Sequence, residues 1–213
     1  MRLQAVISEY QGRVKVRLRP FPLEVDDGES APRDILEQEW WLAALQEPAA
    51  VFAPFRGDDW PTTTLPAFEA AWCAAQQGEA VAHDYDLRVR RAFFAESRNI
   101  GRPEVLLEIA GEAGLDLPVF TRLFASGAAR APVLEERRLG RERYHVRATP
   151  TVTLDDGTRL HLPIAFPRMR ERRVTSVSPL PCCGEGCLDA TRAWFEQALG
   201  EGRLEDRAGE HAS

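Results

Sequence analysis

Apolar and polar positions recur with two different periods along this chain, and the changes of period divide it into stretches. Leu3, Val6, Ile7 and Tyr10 fall at i, i+3, i+4 and i+7, so an amphipathic helix is under way from the first residues. Gly12 ends it as a C-cap glycine. From Arg13 the period drops to two. Val14, Val16 and Leu18 alternate with Arg13, Lys15, Arg17 and Arg19, which predicts a strand that Pro20 and Pro22 stop. Residues 24–34 read as an acidic loop.

Helical spacing then dominates. Leu36, Trp40, Ala43 and Ala44 predict a helix halted by Pro48, followed by irregular chain over residues 53–63. Thr64 as cap, with Pro66 in the first turn, opens a helix that lines up Leu65, Phe68, Trp72 and Ala75 before Gly78. Further helices follow: one with Leu87, Arg91 and Phe94 on its stripe and Phe93 beside them, and one with Leu106, Ile109, Ala110 and Ala113 ended by Gly114. Another is capped by Asp116, carries Phe120, Leu123 and Phe124, and closes at Gly127; the next opens at Pro132 and runs to about Tyr144. Period two returns at Thr151–Leu154 and Arg159–Leu162, joined by Asp155-Asp156-Gly157, and predicts a hairpin. A loop bearing Arg168, Arg170, Arg172 and Arg173 leads to a helix with Leu188, Thr191, Phe195 and Leu199 on one face. Residues 201–213 are polar and read as a disordered tail.

Composition narrows the function classes. The 213 residues are 44% apolar and 28% charged, the make-up of an ordinary globular chain of one domain. A net charge of −6 argues against a general grip on nucleic acid or anionic lipid, and favours reading the arginine cluster as solvated loop. No run is apolar or long enough for a membrane span or a signal peptide, so the cytoplasm is the default compartment. No phosphate loop, catalytic serine motif or zinc spacing occurs, and no metal site is expected. His83, His145 and His211 have no nucleophile or carboxylate at a telling distance in the sequence.

Four cysteines are too few for a disulfide scaffold, but three of them fall within six residues. Cys182-Cys183-Gly184-Glu185-Gly186-Cys187 precedes the last predicted helix, whose N-terminus favours a thiolate at Cys187. Cys183 and Cys187 share a face if the helix extends back one turn; alternatively, the glycines allow a tight loop closed by a disulfide. Redox chemistry, incidental loop cysteines and metal binding all stay open for this cluster. Cys73 reads as a small buried apolar residue. The aromatic residues Trp40, Trp41, Phe68, Trp72, Phe93, Phe94, Phe120 and Phe124 read as helical core, some of them lining a groove.

A strand placed before residue 1 would make the element order β-α-β, helical insertion, β-β-α. Four segments then carry a resemblance: Val16-Arg17-Leu18-Arg19-Pro20-Phe21-Pro22-Leu23, Ala92-Phe93-Phe94-Ala95-Glu96-Ser97-Arg98-Asn99-Ile100, Val105-Leu106-Leu107-Glu108-Ile109-Ala110 and Val146-Arg147-Ala148-Thr149-Pro150-Thr151-Val152. In this order they resemble the DsbA family, in particular its FrnE-like branch and the related hydroxychromene-carboxylate isomerases. The resemblance implies an α/β, thioredoxin-like fold with a large all-helical insertion. One DsbA-like domain would span residues 1–200, with thioredoxin-like parts at 1–23 and 146–200 and the insertion at about 34–145.

The resemblance also implies a thiol–disulfide oxidoreductase acting on protein thiols and disulfides, without a cofactor. Thr149 and Pro150 would be the cis-proline loop that orients substrate. Cys182, Cys183 and Cys187 would be an accessory redox group, because C-terminal cysteine pairs occur in FrnE-like proteins. One departure stands out: family members carry Cys-x-x-Cys between their first strand and first helix, and neither that strand nor the motif occurs here. A start placed downstream of the real one is the expected reason, and activity in this form is expected to be impaired. Two alternatives are a glutathione-dependent isomerase or kappa-type transferase, and a non-catalytic peptide-binding module. If the chain is complete, residues 14–18 and 151–154 face an absent strand. They must then pair directly, recruit another chain (as a homodimer would), or stay loose, since each buried unpaired group costs about 1–3 kcal/mol.

Overall fold

The computed structural model describes residues 6–10, 12–24, 32–46, 50–160, 165, 167–179, 188–189 and 191–200. They fall into two compact units, one built from residues 1–18, 42–50 and 148–213, the other from 19–41 and 51–147.

The second unit is helical. Its elements are α1 (Arg33–Gln46, of which residues 33–41 belong here), α2 (Leu65–Ala75), α3 (Glu79–Phe94), α4 (Pro103–Glu112), α5 (Leu117–Ala125) and α6 (Arg130–Glu142). Prolines in the first turns of α2, α4 and α5 cost no hydrogen bond, because the leading N–H groups have no intrahelical partner. Asp116 caps α5 as its sequence position predicts, its carboxylate accepting from the Val119 N–H at 3.0 Å. Thr64, the predicted cap of α2, makes no side-chain capping bond. The Glu24 carboxylate does that work from forty residues away. It accepts from the Thr63 hydroxyl (2.5 Å), the Thr64 hydroxyl (3.0 Å), the Thr64 N–H (2.8 Å) and the Leu65 N–H (2.7 Å). A negative group at this helix end also meets the favourable end of the helix dipole.

The helical core joins Cys73, Tyr85, Leu106, Ile109 and Phe120, all fully buried, to an aromatic cluster of Trp40, Phe55, Trp60, Phe93 and Phe94. Trp40 packs edge-on to Phe93 and Phe94 at 5.4 and 5.2 Å and lies over Trp60 at 5.9 Å. On α3 the buried stripe is Tyr85, Val89, Ala92 and Phe93, a different face from the expected Leu87, Arg91 and Phe94. Tyr85 sets this face, because its ring meets Phe120 at 5.6 Å and its hydroxyl donates to the Leu106 carbonyl at 3.2 Å. Trp41 departs from the expected core and is exposed.

In the first unit, helical residues 6–7 run into a 3-10 turn, Ser8–Tyr10, and residues 191–200 form a helix, α7. Val6, Tyr10 and Phe195 make the core between them, with Tyr10 stacked on Phe195 at 4.8 Å and its hydroxyl donating to Glu196 at 2.7 Å. That hydrogen bond is the main reason the Tyr10 hydroxyl is held above its usual pKa. The Arg192 guanidinium bridges Glu9 and Asp189.

The predicted hairpin forms from β1 (Val152–Thr153) and β2 (Arg159–Leu160), with Val152 opposite Leu160 and Thr153 opposite Arg159. Its turn closes through Gly157 N–H to the Leu154 carbonyl (3.0 Å), Gly157 taking the positive φ of 92° that a side chain would resist. Residues 14–18 depart from expectation: they belong to neither ladder among the described residues and form no pair with β1. The apolar alternation is there, but a ladder also needs a partner strand, which a period-two pattern does not supply. A second departure lies in the predicted arginine loop, which is a hairpin of β3 (Pro167–Arg170) and β4 (Arg173–Val177). The Gln46 side chain anchors its approach, accepting from the Ala165 N–H at 2.5 Å and donating to the Ala165 carbonyl at 3.2 Å.

Candidate functional site

The loop ahead of β1 presents open backbone. Ala148, Thr149 and Pro150 form a bend, and all three are exposed. The Thr151 hydroxyl donates back to the Ala148 carbonyl at 2.5 Å and closes the bend locally. The Thr149–Pro150 peptide bond is cis. Among the described residues neither the N–H nor the C=O of Thr149 has a hydrogen-bond partner. A backbone donor and acceptor left open beside a strand can pair with an extended segment of another chain. Thr149 and Pro150 therefore sit together on one accessible loop.

Thiol chemistry in the described part is confined to Cys73, which cannot supply a ready nucleophile. It is fully buried on α2, and burial, with a smaller contribution from the Glu69 carboxylate, pushes its thiol up to about 11. Glu69 is itself buried and pairs with Arg130. Cys182, Cys183 and Cys187 lie outside the described residues, as do His161 and His211. No group of three His, Cys, Asp or Glu side chains could hold a metal ion among the described residues. A shallow pocket on the helical unit, lined by Glu37, Trp40, Trp41, Phe52, Ala53 and Pro54, has no nucleophile. One of the Glu37 carboxylate oxygens is already engaged by the Arg33 guanidinium and the Phe55 N–H, both at 3.1 Å.

The profile of the DSBA-like thioredoxin domain matches residues 1–169, most of the chain. The chain belongs to the DSBA-like thioredoxin family. The match takes in the Thr149–Pro150 loop and ends within β3, ahead of the cysteine cluster. No curated protein sequence matches the chain. Among solved structures, the cytosolic disulfide reductase DsbM from Pseudomonas aeruginosa is similar over 93% of this chain and 90% of that one. The TM-score is 0.61 and the sequence identity 23%. At that identity the likeness speaks for the fold: a DSBA-like thioredoxin fold, mostly helical with little sheet. The family is one of thiol–disulfide oxidoreductases, acting on protein thiols and disulfides.

Two features of the DSBA-like chain escaped the sequence pattern. Glu24 lies in a stretch whose composition is that of an acidic loop, and no local spacing ties it to α2. The arginine cluster is visible in the sequence, but its arrangement on two paired strands is not.

Proposed function

We propose that this chain exchanges thiols and disulfides with protein substrates in the cytosol. In this reading an extended substrate segment pairs with the Thr149 backbone beside Pro150, and Cys182 and Cys187 are the exchanging thiols. The observation that carries the substrate half is the exposed Thr149 backbone, whose N–H and C=O have no partner among the described residues. Family membership supports the exchange half, and the similarity to DsbM, a cytosolic reductase, supports the compartment. These 213 residues contain no Cys-x-x-Cys, so the C-terminal cluster is the source of a dithiol in this form. Cys187 directly precedes helical residues 188–189 in the sequence, and a helix N-terminus favours thiolate.

The Cys187 thiolate attacks one sulfur of a substrate disulfide, and the other sulfur leaves as a thiolate. Cys182 then attacks the mixed disulfide, releasing the reduced substrate and leaving a Cys182–Cys187 disulfide that an external thiol must reduce.

Insulin reduction with dithiothreitol as the external thiol tests this reading. The expected result is turnover that Cys182→Ala/Cys187→Ala removes. Unchanged turnover in that variant would overturn the assignment of the cysteines. No turnover in the parent chain, with peptide binding retained, would favour a non-catalytic peptide-binding module.

A further inference from the structure

The β3–β4 ribbon has two chemically opposed faces. Residues directly opposite across a ladder share a face. The pairs Pro167–Val177 and Met169–Val174 therefore make one side, and Arg168–Ser176 and Arg170–Arg173 the other. The register shifts between Arg168 and Met169, so Thr175 is the extra residue of a bulge; its hydroxyl donates to the Arg168 carbonyl at 3.1 Å. One face is apolar and the other cationic. On the apolar face Met169 and Val177 are 37% and 43% exposed while Pro167 and Val174 are half-buried, and on the cationic face Arg168, Arg170 and Arg173 are exposed.

Two costs come with this arrangement. A lone two-stranded ribbon is marginal in water, and this one has no third strand among the described residues. Arg170 also stands directly opposite Arg173, and like charges in that position repel. A partner that supplies a third strand and carboxylates offsets both. Over residues 167–177 the ribbon carries four arginines against one glutamate, in a chain whose net charge is −6. That overall charge repels a long polyanion but leaves local contact with a short acidic segment favourable.

We propose that the β3–β4 ribbon docks an extended acidic segment of a partner protein as an added strand. The segment alternates carboxylates with apolar side chains. Its acidic positions, two residues apart, meet the guanidinium groups of Arg168 and Arg170 or Arg173 in charge-assisted hydrogen bonds. Its apolar positions lie against Met169 and Val177. Backbone pairing along the outer edge of β3 gives the affinity and the alternation gives the selectivity. The ribbon lies at and beyond the end of the family match, and this binding goes beyond the exchange reaction without depending on it.

Fluorescence anisotropy on the full chain tests it, with a labelled peptide of alternating glutamate and valine, its lysine–valine counterpart and a short DNA duplex. The glutamate peptide should bind more weakly as salt rises, and Arg168→Glu/Arg170→Glu should weaken it about tenfold or more. The same variant should gain affinity for the lysine peptide, a reversal that a ribbon unfolded by the substitutions would not give. Failure of the glutamate peptide to bind, equal binding of both peptides, or preference for the duplex would overturn the proposal.

Discussion

Cys73 shows how burial decides what a residue can do. The thiol sits in the helical core beside Tyr85 and Glu69, and its pKa rises from an ordinary 9.0 to about 11, mainly through desolvation. The folded state therefore keeps a proton that the unfolded state gives up. Below pH 9 the thiol is neutral in both states and the fold keeps this contribution in full; as pH climbs from 9 towards 11 the unfolded state ionises first and stability falls. Urea midpoints across that range should decline less steeply for Cys73→Ala than for the parent chain. Tyr85, also raised by burial, adds to the decline at higher pH in both proteins. In the folded chain near neutral pH, a thiol reagent should label Cys73 only after denaturant is added.

At the scale of elements, the helices were largely legible and the sheets only in part. α5 illustrates the easy case: an Asp116 cap and aromatic residues on one face point the same way, and the structure follows both. The buried face of α3 differs from the expected one because Tyr85 sets it, its ring filling the core and its hydroxyl donating to the Leu106 carbonyl. The β3–β4 ribbon was hidden for two physical reasons. Its turn residues, Glu171 and Arg172, adopt positive φ of 50° and 63° without the Asn or Gly that usually marks such a turn. The bulge at Thr175 also places Val174 and Val177, three residues apart, on the same face and so breaks the period of two. The α2 cap was beyond any local pattern, because Glu24 reaches it through the fold. Glu24→Ala should cost about 1–3 kcal/mol, removing several charge-assisted bonds at once. Thr64→Ala should cost less, since its own side chain does not cap the helix. Urea unfolding of the two variants checks the order, with the m-value as the control for compactness.

For the whole molecule, the ordered set of segments spread over residues 16–152 identified a DSBA-like thioredoxin chain where each alone would not, and the family match covers all of them. Thr149 and Pro150 became candidates through that resemblance, and they lie on the loop ahead of the β1–β2 hairpin. The extended stretch at 14–18 was legible as a pattern, but its pairing was not, because hydrogen-bond partners are a property of the assembled sheet. The proposed exchange turns on the chemistry of the Cys182–Cys187 cluster. Mass spectrometry of variants that keep one cysteine of the cluster, incubated with a disulfide-bonded peptide, measures it directly. A chain retaining Cys187 but carrying Cys182→Ala and Cys183→Ala should accumulate a mixed disulfide at Cys187, which the parent chain resolves to free peptide thiol. Absence of any adduct on Cys187, with the peptide disulfide left intact by the parent chain, would contradict the account.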